Sequence, residues 1–302
     1  MLAGGSGRRL APITGGVPKQ FCGFGGGRTL LADTLDRIAP LVQPARTSVV
    51  VDRAHERYLD ERYLQGTRIL QQPCDRGTAA GVLYGLLPAM EAGGDPIVLL
   101  TPSDHGVRDR GEFLKSIRDA VASIESGSHG IVLFGAEPSS ADGDYGWISP
   151  GGGMTQVGEL SFRPVAAFVE KPPANVAAKL FDERAVWNTM VIAARLSVLL
   201  ALYWRHLPDL TDVFTRAQQL SPAARCVFLE AQYKCLAVAD FCRDVLTHAD
   251  GLWLRIWPAA LGWSDLGTPE RLRRWMVTAG RGESPANRGA RAATSRAAVA
   301  HM

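Results

Sequence analysis

Residues 2–21, LAGGSGRRLAPITGGVPKQF, bring glycines at 4, 5 and 7, the pair Arg8-Arg9 and the pair Pro18-Lys19 into one short stretch. Glycine lacks the Cβ that would hold a polyanion away from backbone N–H groups, so the turn Ala3-Gly4-Gly5-Ser6-Gly7 can wrap a phosphate closely. Arg8, Arg9 and Lys19 supply the opposing charge. A guanidinium grips phosphate oxygens as a fixed fork, and an ammonium follows a moving phosphoryl group as a point charge. The combination suits chemistry on a triphosphate as well as binding of one. It is not a Walker loop, because no Lys-Ser or Lys-Thr follows the glycines. Nor is it a dinucleotide fingerprint, because Leu10 occupies the place of the third glycine.

Groups that handle phosphate must be held by fixed elements, and the apolar runs indicate which. Thr47–Val51, Ile97–Thr101 and Gly130–Gly135 read as buried strands, while residues 28–41, 78–92 and 111–126 carry helical periodicity. The alternation predicts an α/β fold, a Rossmann-like, mostly parallel mixed sheet with helices on both faces. Ligands of such sheets sit outside the carboxyl ends of strands, where the glycine loop and Pro102-Ser103-Asp104-His105 both fall. Residues 142–173, with Gly151-Gly152-Gly153 between two strand-like pieces, predict a hairpin or small added sheet. From 196 to 249 the pattern is helical, interrupted by Pro208 and Pro222, and reads as a cover packed on the sheet. A strand pair near 252–257 and a helix over 268–278 follow. Residues 280–302, rich in Ala, Arg, Gly and Ser without bulky apolar side chains, are predicted to be disordered.

A chain of 302 residues can bury one large core, and 46% hydrophobic with 21% charged residues is ordinary for a globular protein. Net charge of +3 argues against nucleic acid as the main partner, despite Arg281, Arg288, Arg291 and Arg296 near the end. Five cysteines, an odd number without a Cys-x-x-Cys pair, predict free thiols in a reducing compartment. With no run of 18 apolar residues and no signal-peptide pattern, the expectation is a cytoplasmic protein without a membrane partner.

Further segments follow the first in a fixed order. They are Gln72-Pro73 leading to Arg76-Gly77-Thr78-Ala79, Pro102-Ser103-Asp104-His105, Asp144-Tyr145-Gly146-Trp147-Ile148, Val169-Glu170-Lys171-Pro172, Trp187-Asn188-Thr189 and Gly262-Trp263-Ser264-Asp265-Leu266-Gly267. Together they resemble the sugar-1-phosphate nucleotidyltransferases, and Pro18-Lys19-Gln20-Phe21 is most similar to the mannose-1-phosphate guanylyltransferase branch. The resemblance implies a GT-A-like nucleotidyltransferase domain over 1–279, with the sugar-binding lobe at 142–195 and the helical cover at 196–249. It implies transfer from a nucleoside triphosphate to a sugar 1-phosphate, most similar to GTP with mannose 1-phosphate. A homo-oligomer is compatible with it.

In that chemistry the sugar phosphate is already an anion, so the protein must position and neutralise rather than supply a general base. Arg9 is expected on the leaving pyrophosphate and Lys19 on the α-phosphate. Ala3, Gly4, Gly5, Ser6 and Gly7, together with Gln72, Gly77 and Thr78, are expected to bind the nucleotide. Asp104 matches the family's first Mg2+ ligand and Asp265 its second, and two carboxylates with phosphate oxygens and water suit an octahedral magnesium ion. His105 is expected to shape its loop. For the sugar phosphate, Glu170 would accept from hydroxyls, Lys171 would pair with the phosphate, Gly146 would allow close approach and Asn188 would bond a hydroxyl.

Two departures leave alternatives open. Gln72 stands where many guanylyltransferases have glutamate, and an amide can serve uracil or thymine as well as guanine. Met190 stands where the family has glycine, which changes the floor of the sugar pocket. The same chemistry on UTP or dTTP with glucose 1-phosphate therefore remains a second reading, and a non-catalytic nucleotide-sugar binder a third. The glycine loop of this fold follows a buried central strand, yet only Met1 and Leu2 precede Ala3. Either that strand is severely shortened or the chain begins upstream.

Overall fold

The computed structural model of the protein describes residues 1–24, 27–157 and 160–282. Its strands are β1 (Ser48–Asp52), β2 (Arg68–Gln72), β3 (Ile97–Leu100), β4 (Gly106–Val107), β5 (Ile131–Ala136), β6 (Trp147–Pro150), β7 (Thr155–Val157), β8 (Leu160–Val169), β9 (Val186–Arg195), β10 (Trp253–Trp257) and β11 (Trp263–Ser264). β9 organises the main sheet. Its second half lies antiparallel to β3 and to β5, and its first half pairs with the end of β5 and with β6. β10 adds in parallel to β5, while β6, β8 and β7 form the added antiparallel part expected from the glycine-separated pieces.

Residues 1–3 lie as a short stub in the place expected of the lead-in strand. Leu2 bridges Val50 in β1 on one side and Pro102, just after β3, on the other, both in parallel. Backbone bonds from Ala3 N to Val50 O (2.8 Å) and from Leu2 N to Thr101 O (3.0 Å) join β1 and β2 to the rest of the sheet. The α/β class expected from alternation is the observed one, but the sheet expected to be mostly parallel has mostly antiparallel pairs among the described strands. Its parallel pairs lie around the stub, between β1 and β2 and between β5 and β10, while β9 makes its neighbourhood antiparallel.

Alternation along β5 explains the two cores. Ile131 and Leu133 face one, Val132 and Phe134 the other. The first core is closed by helix Gly77–Ala92 and by Leu196–His206, Pro208–Gln218 and Pro222–Cys235, three helices within the 196–249 stretch whose pattern reads as helical. Pro208 and Pro222 sit at helix starts, where a missing N–H costs nothing. The second is closed by Leu30–Ile38, capped by Thr29, and Arg110–Glu125, capped by Asp109. Each fully buried Leu, Ile or Phe in these cores contributes about 1.5–3 kcal/mol. The last helix, Pro269–Gly282, runs beyond the expected 268–278, so residues 280–282 continue a helix, contrary to the expected disordered tail. The remainder of that expectation, 283–302, lies outside the described residues.

Candidate active site

Gly7 adopts φ +62°, and a Cβ there would lie 3.0 Å from Lys19 N, so both its backbone and its neighbour require glycine. The loop is propped from beneath. Gln20, buried, donates through Nε2 to Ala3 O and Gly5 O, each at 2.8 Å. This fixes the turn ahead of the short helical segment Arg8–Leu10, and the loop opens onto a cavity of about 400 Å³. Gly5, Ser6, Gly7, Arg9, Lys19, Asp104 and Asp265 all line it, although they come from opposite ends of the chain.

Lys19 ties the two acidic segments together. Its Nζ donates to Asp265 O (2.5 Å) and stands 3.3 Å from Asp104 Oδ2. Asp104 ends the turn after β3, and Asp265 follows β11, which pairs with β4 just beyond Asp104. That pairing brings the two carboxylates to one edge. Asp265 Oδ1 accepts from the Tyr145 hydroxyl (2.8 Å) and Oδ2 from Arg271 Nη1 (3.0 Å). Burial would raise the Asp265 carboxyl, but chiefly the charge of Arg271, with that of Lys19 and the Tyr145 bond, outweighs it and holds the group below its usual range.

Arg271 is the hub of this end. It is 10% exposed, pairs with Asp142 as well as Asp265, lies 3.6 Å from Asp144 and stacks 4.1 Å above the Tyr145 ring. Burial opposes its charge, yet Asp265 and Asp142 more than compensate and raise its pKa. Arg9 reaches the same acidic turn, 2.9 Å from Asp144 in an exposed pair. His105 is lowered to about 4 by burial, against the pull of Asp104, and so is neutral at pH 7. It packs edge-on to Trp263 at 5.2 Å.

A second cluster begins one residue from Tyr145. A Cβ at Gly146 would lie 2.5 Å from Glu170 Oε2 and 3.3 Å from Asn188 Cβ. The room at Gly146, expected to admit a sugar, is taken by these two side chains. Lys171, with a left-handed backbone (φ +47°), pairs with Glu170 at 2.9 Å and is 61% exposed. Asn188 Nδ2 donates to Cys242 Sγ (3.3 Å) and Oδ1 accepts from Met190 N (3.0 Å). Met190 occupies the bulge where β9 shifts register against β5, at φ +59°, so methionine takes the left-handed conformation that glycine would adopt freely.

The glycine loop and the two carboxylates face one cavity, and a model of the nucleotidyl transferase family matches residues 1–279. The chain belongs to the nucleotidyl transferase family. This nucleotidyl transferase is 33% identical over 224 residues to the xanthan biosynthesis protein XanB of Xanthomonas campestris pv. campestris, covering 72% of the chain and 46% of that protein. It is 30% identical over 218 residues to a putative mannose-1-phosphate guanylyltransferase of Vibrio cholerae, covering 70% and 45%. The chain thus spans about half the length of the curated relatives it matches. A solved structure described as mannose-1-phosphate geranyltransferase from Thermus thermophilus superposes with TM-score 0.73 at 32% identity, over 88% of this chain and 75% of that one. A UDP-glucose pyrophosphorylase complexed with UDP-glucose shares the fold, with TM-score 0.57 at 14% identity over 93% and 97%.

In this nucleotidyl transferase, Gly77 and Thr78 do something more specific than expected. Gly77 (φ +84°) leaves no space for a Cβ, which would meet Ala239 O at 2.2 Å, and Thr78 Oγ1 bonds Asp240 Oδ2 (3.0 Å) and Phe241 N (2.8 Å). They clamp the segment that delivers Cys242 to Asn188. Gln72 is buried and lies against the glycine loop, 3.2 Å from where a Gly4 Cβ would be. Gln20 and Arg271 are the supporting residues that sequence reasoning missed. Gln20 stood inside a quoted motif, whereas Arg271 stood in an arginine-rich helix with no local signal.

The carboxylates fit magnesium. Among the described residues no group of three or more His, Cys, Asp or Glu side chains is placed to hold an ion, so a cation here needs substrate oxygens to complete its shell. Magnesium is held in that way, by one or two carboxylates plus phosphates. Asp265 keeps lone pairs beyond its two bonds, since a carboxylate accepts about four.

Proposed function

We propose that the protein transfers a nucleotidyl group from a nucleoside triphosphate to a sugar 1-phosphate, with GTP and mannose 1-phosphate as substrates. The observation that carries this reading is the single cavity lined by Gly5, Ser6, Gly7, Arg9, Lys19, Asp104 and Asp265. A phosphate oxygen of the sugar phosphate attacks the α-phosphorus in line; a new P–O bond forms, the α–β bridging P–O bond breaks and pyrophosphate leaves. The glycine loop offers N–H groups to the triphosphate, and Lys19 neutralises the α-phosphate. Arg9 exchanges Asp144 for the leaving pyrophosphate, a cheap exchange because an exposed pair contributes only about 0–1 kcal/mol. Asp104 and Asp265 would hold Mg2+, which when bound neutralises the oxygens that repel the attacking phosphate. Glu170 and Asn188 hold sugar hydroxyls and Lys171 the sugar phosphate.

The relatives named for mannose-1-phosphate guanylyl transfer support the choice of substrates. Gln72 and Met190 favour the second reading, UTP or dTTP with glucose 1-phosphate. The five cysteines are unpaired, which supports work in the cytoplasm. Among the described residues no helix is long and apolar enough to cross a membrane. A pyrophosphate-release panel over five nucleotides and two sugar 1-phosphates tests the assignment. Turnover of GTP with mannose 1-phosphate supports it, and turnover of UTP or dTTP with glucose 1-phosphate but none with GTP replaces it.

A further inference from the structure

The carbonyls on both sides of Asp104 are held by one helix. Thr34, buried on helix Leu30–Ile38, donates through Oγ1 to Ser103 O at 3.2 Å. Arg37, on the next turn of that helix, donates through Nη2 to His105 O (3.2 Å) and to the same Thr34 Oγ1 (2.9 Å). Nη2 thereby spends both of its protons, and Oγ1, accepting from Arg37, turns its own proton toward Ser103 O. Ser103 N donates to Leu2 O (3.1 Å), and beyond His105 the chain enters β4, which pairs with β11. The turn that brings Asp104 to the cavity is thus tied to the stub, to β11 and to this helix.

Arg37 is a costly support. It is 4% exposed, and among the described residues no carboxylate forms an ion pair with it and its Nε has no hydrogen-bond partner. Burial, helped by the charge of Arg110 and opposed by that of Asp33, lowers its pKa to about 10, so it is still a cation at pH 7. The guanidinium lies 5.3 Å from the centroid of the Phe113 ring, where an apolar side chain would pack without the penalty of a buried, uncompensated charge. Core stability therefore does not account for it, whereas its bonds lead, directly or through Thr34, to the Asp104 turn. Asp104 needs that help. Asp265 is fixed through its side chain by Tyr145 and Arg271, but the Asp104 carboxylate lies 3.3 Å from Lys19 Nζ and 3.6 Å from His105 Nε2, so its placement comes mainly from its backbone.

We propose that Thr34 and Arg37 are positioning residues for nucleotidyl transfer: they fix the peptide planes that enter Asp104 and leave His105, and so hold the Asp104 carboxylate at the cavity. The inference rests on the nucleotidyl-transfer reading and adds to it the support of one of its two carboxylates. Rotation of the 103–105 backbone would carry that carboxylate away from Lys19 and Asp265, and contacts that orient a ligand from behind govern cation affinity nearly as strongly as the ligand itself.

The test compares the unaltered full chain with Thr34→Val, Thr34→Ser and Arg37→Met. Mn2+ binding is read by electron paramagnetic resonance with GTP or UTP and no sugar phosphate, beside the Mg2+ concentration for half-maximal pyrophosphate release and the urea midpoint. Thr34→Val, which keeps the volume and removes the donor, should weaken Mn2+ binding about 10-fold or more, and Arg37→Met should do the same. Thr34→Ser, which keeps the hydroxyl, should bind Mn2+ as the unaltered chain does. A merely structural role would lower the urea midpoint and leave the Mn2+ affinity of the folded protein unchanged. That result, or equal losses in Thr34→Ser and Thr34→Val, overturns the inference while leaving nucleotidyl transfer intact. If no pyrophosphate is released from any substrate pair, the functional reading fails and Mn2+ binding still decides the role of Thr34 and Arg37. Absence of Mn2+ binding to the unaltered chain overturns the inference together with the metal site.

Discussion

Asp265 combines two demands that a carboxylate rarely meets together, burial beside a cavity and full ionisation. Arg271 and Tyr145 reconcile them by bonding one oxygen each. Removing the guanidinium should loosen the carboxylate and the Asp142–Asp144 turn at once. Arg271→Met is expected to raise the Mg2+ concentration for half-maximal activity about 10-fold or more, the usual scale for a residue that orients a ligand. Arg271→Lys should rescue little, because a point charge cannot span Asp142, Asp265 and the Tyr145 ring. A magnesium titration of pyrophosphate release reads both. Asp104→Asn and Asp265→Asn should each abolish magnesium-dependent turnover, and unchanged dependence in both would remove the metal from the account. Asp104, Asp265 and Lys19 were legible in the sequence because each stands in a short motif of distinctive composition. Arg271 was not, since what sets it apart from Arg273 and Arg274 is the turn it packs against, which is more than 120 residues away in the chain.

At the level of elements, the segment around Ala239–Cys242 depends on one glycine. Gly77→Ala would combine a left-handed backbone with a Cβ pressed on Ala239 O, so a loss of more than about 2 kcal/mol is expected. Urea unfolding should show it as a lower midpoint with an unchanged slope, together with a raised KM for the sugar phosphate through Cys242 and Asn188. A stability within a few tenths of a kcal/mol of the unaltered chain would contradict the clamp. Helix and strand positions were largely readable, because caps such as Thr29 and Asp109 and prolines such as Pro208 and Pro222 mark element ends locally. The direction of β9 was not. Strand polarity depends on which neighbours a segment finds, and Val186–Arg195 carries an apolar run equally suited to parallel or antiparallel pairing.

Taken whole, the molecule gathers its site from segments far apart in sequence, with residues 5–10, Lys19, Asp104, His105, Asp265 and Gly267 facing one cavity. Its stability should therefore respond to groups far from that cavity. His129 is buried against Trp253 and Phe162 beside Ser123, and burial lowers its pKa from 6.5. The unfolded chain takes up a proton near pH 6.5 while the folded one resists, so stability is fully present above that pH and declines as pH falls below it. Melting temperatures measured from pH 7.5 to 5 should fall, and His129→Leu should flatten that slope whatever its starting value. An identical slope in the variant would clear His129 of the effect. The central claim is tested most directly by pyrophosphate release from the full chain with GTP, mannose 1-phosphate and Mg2+. Release that requires all three, and that is lost in Lys19→Met, is the expected result; no release with any nucleoside triphosphate and sugar 1-phosphate pair would contradict the account.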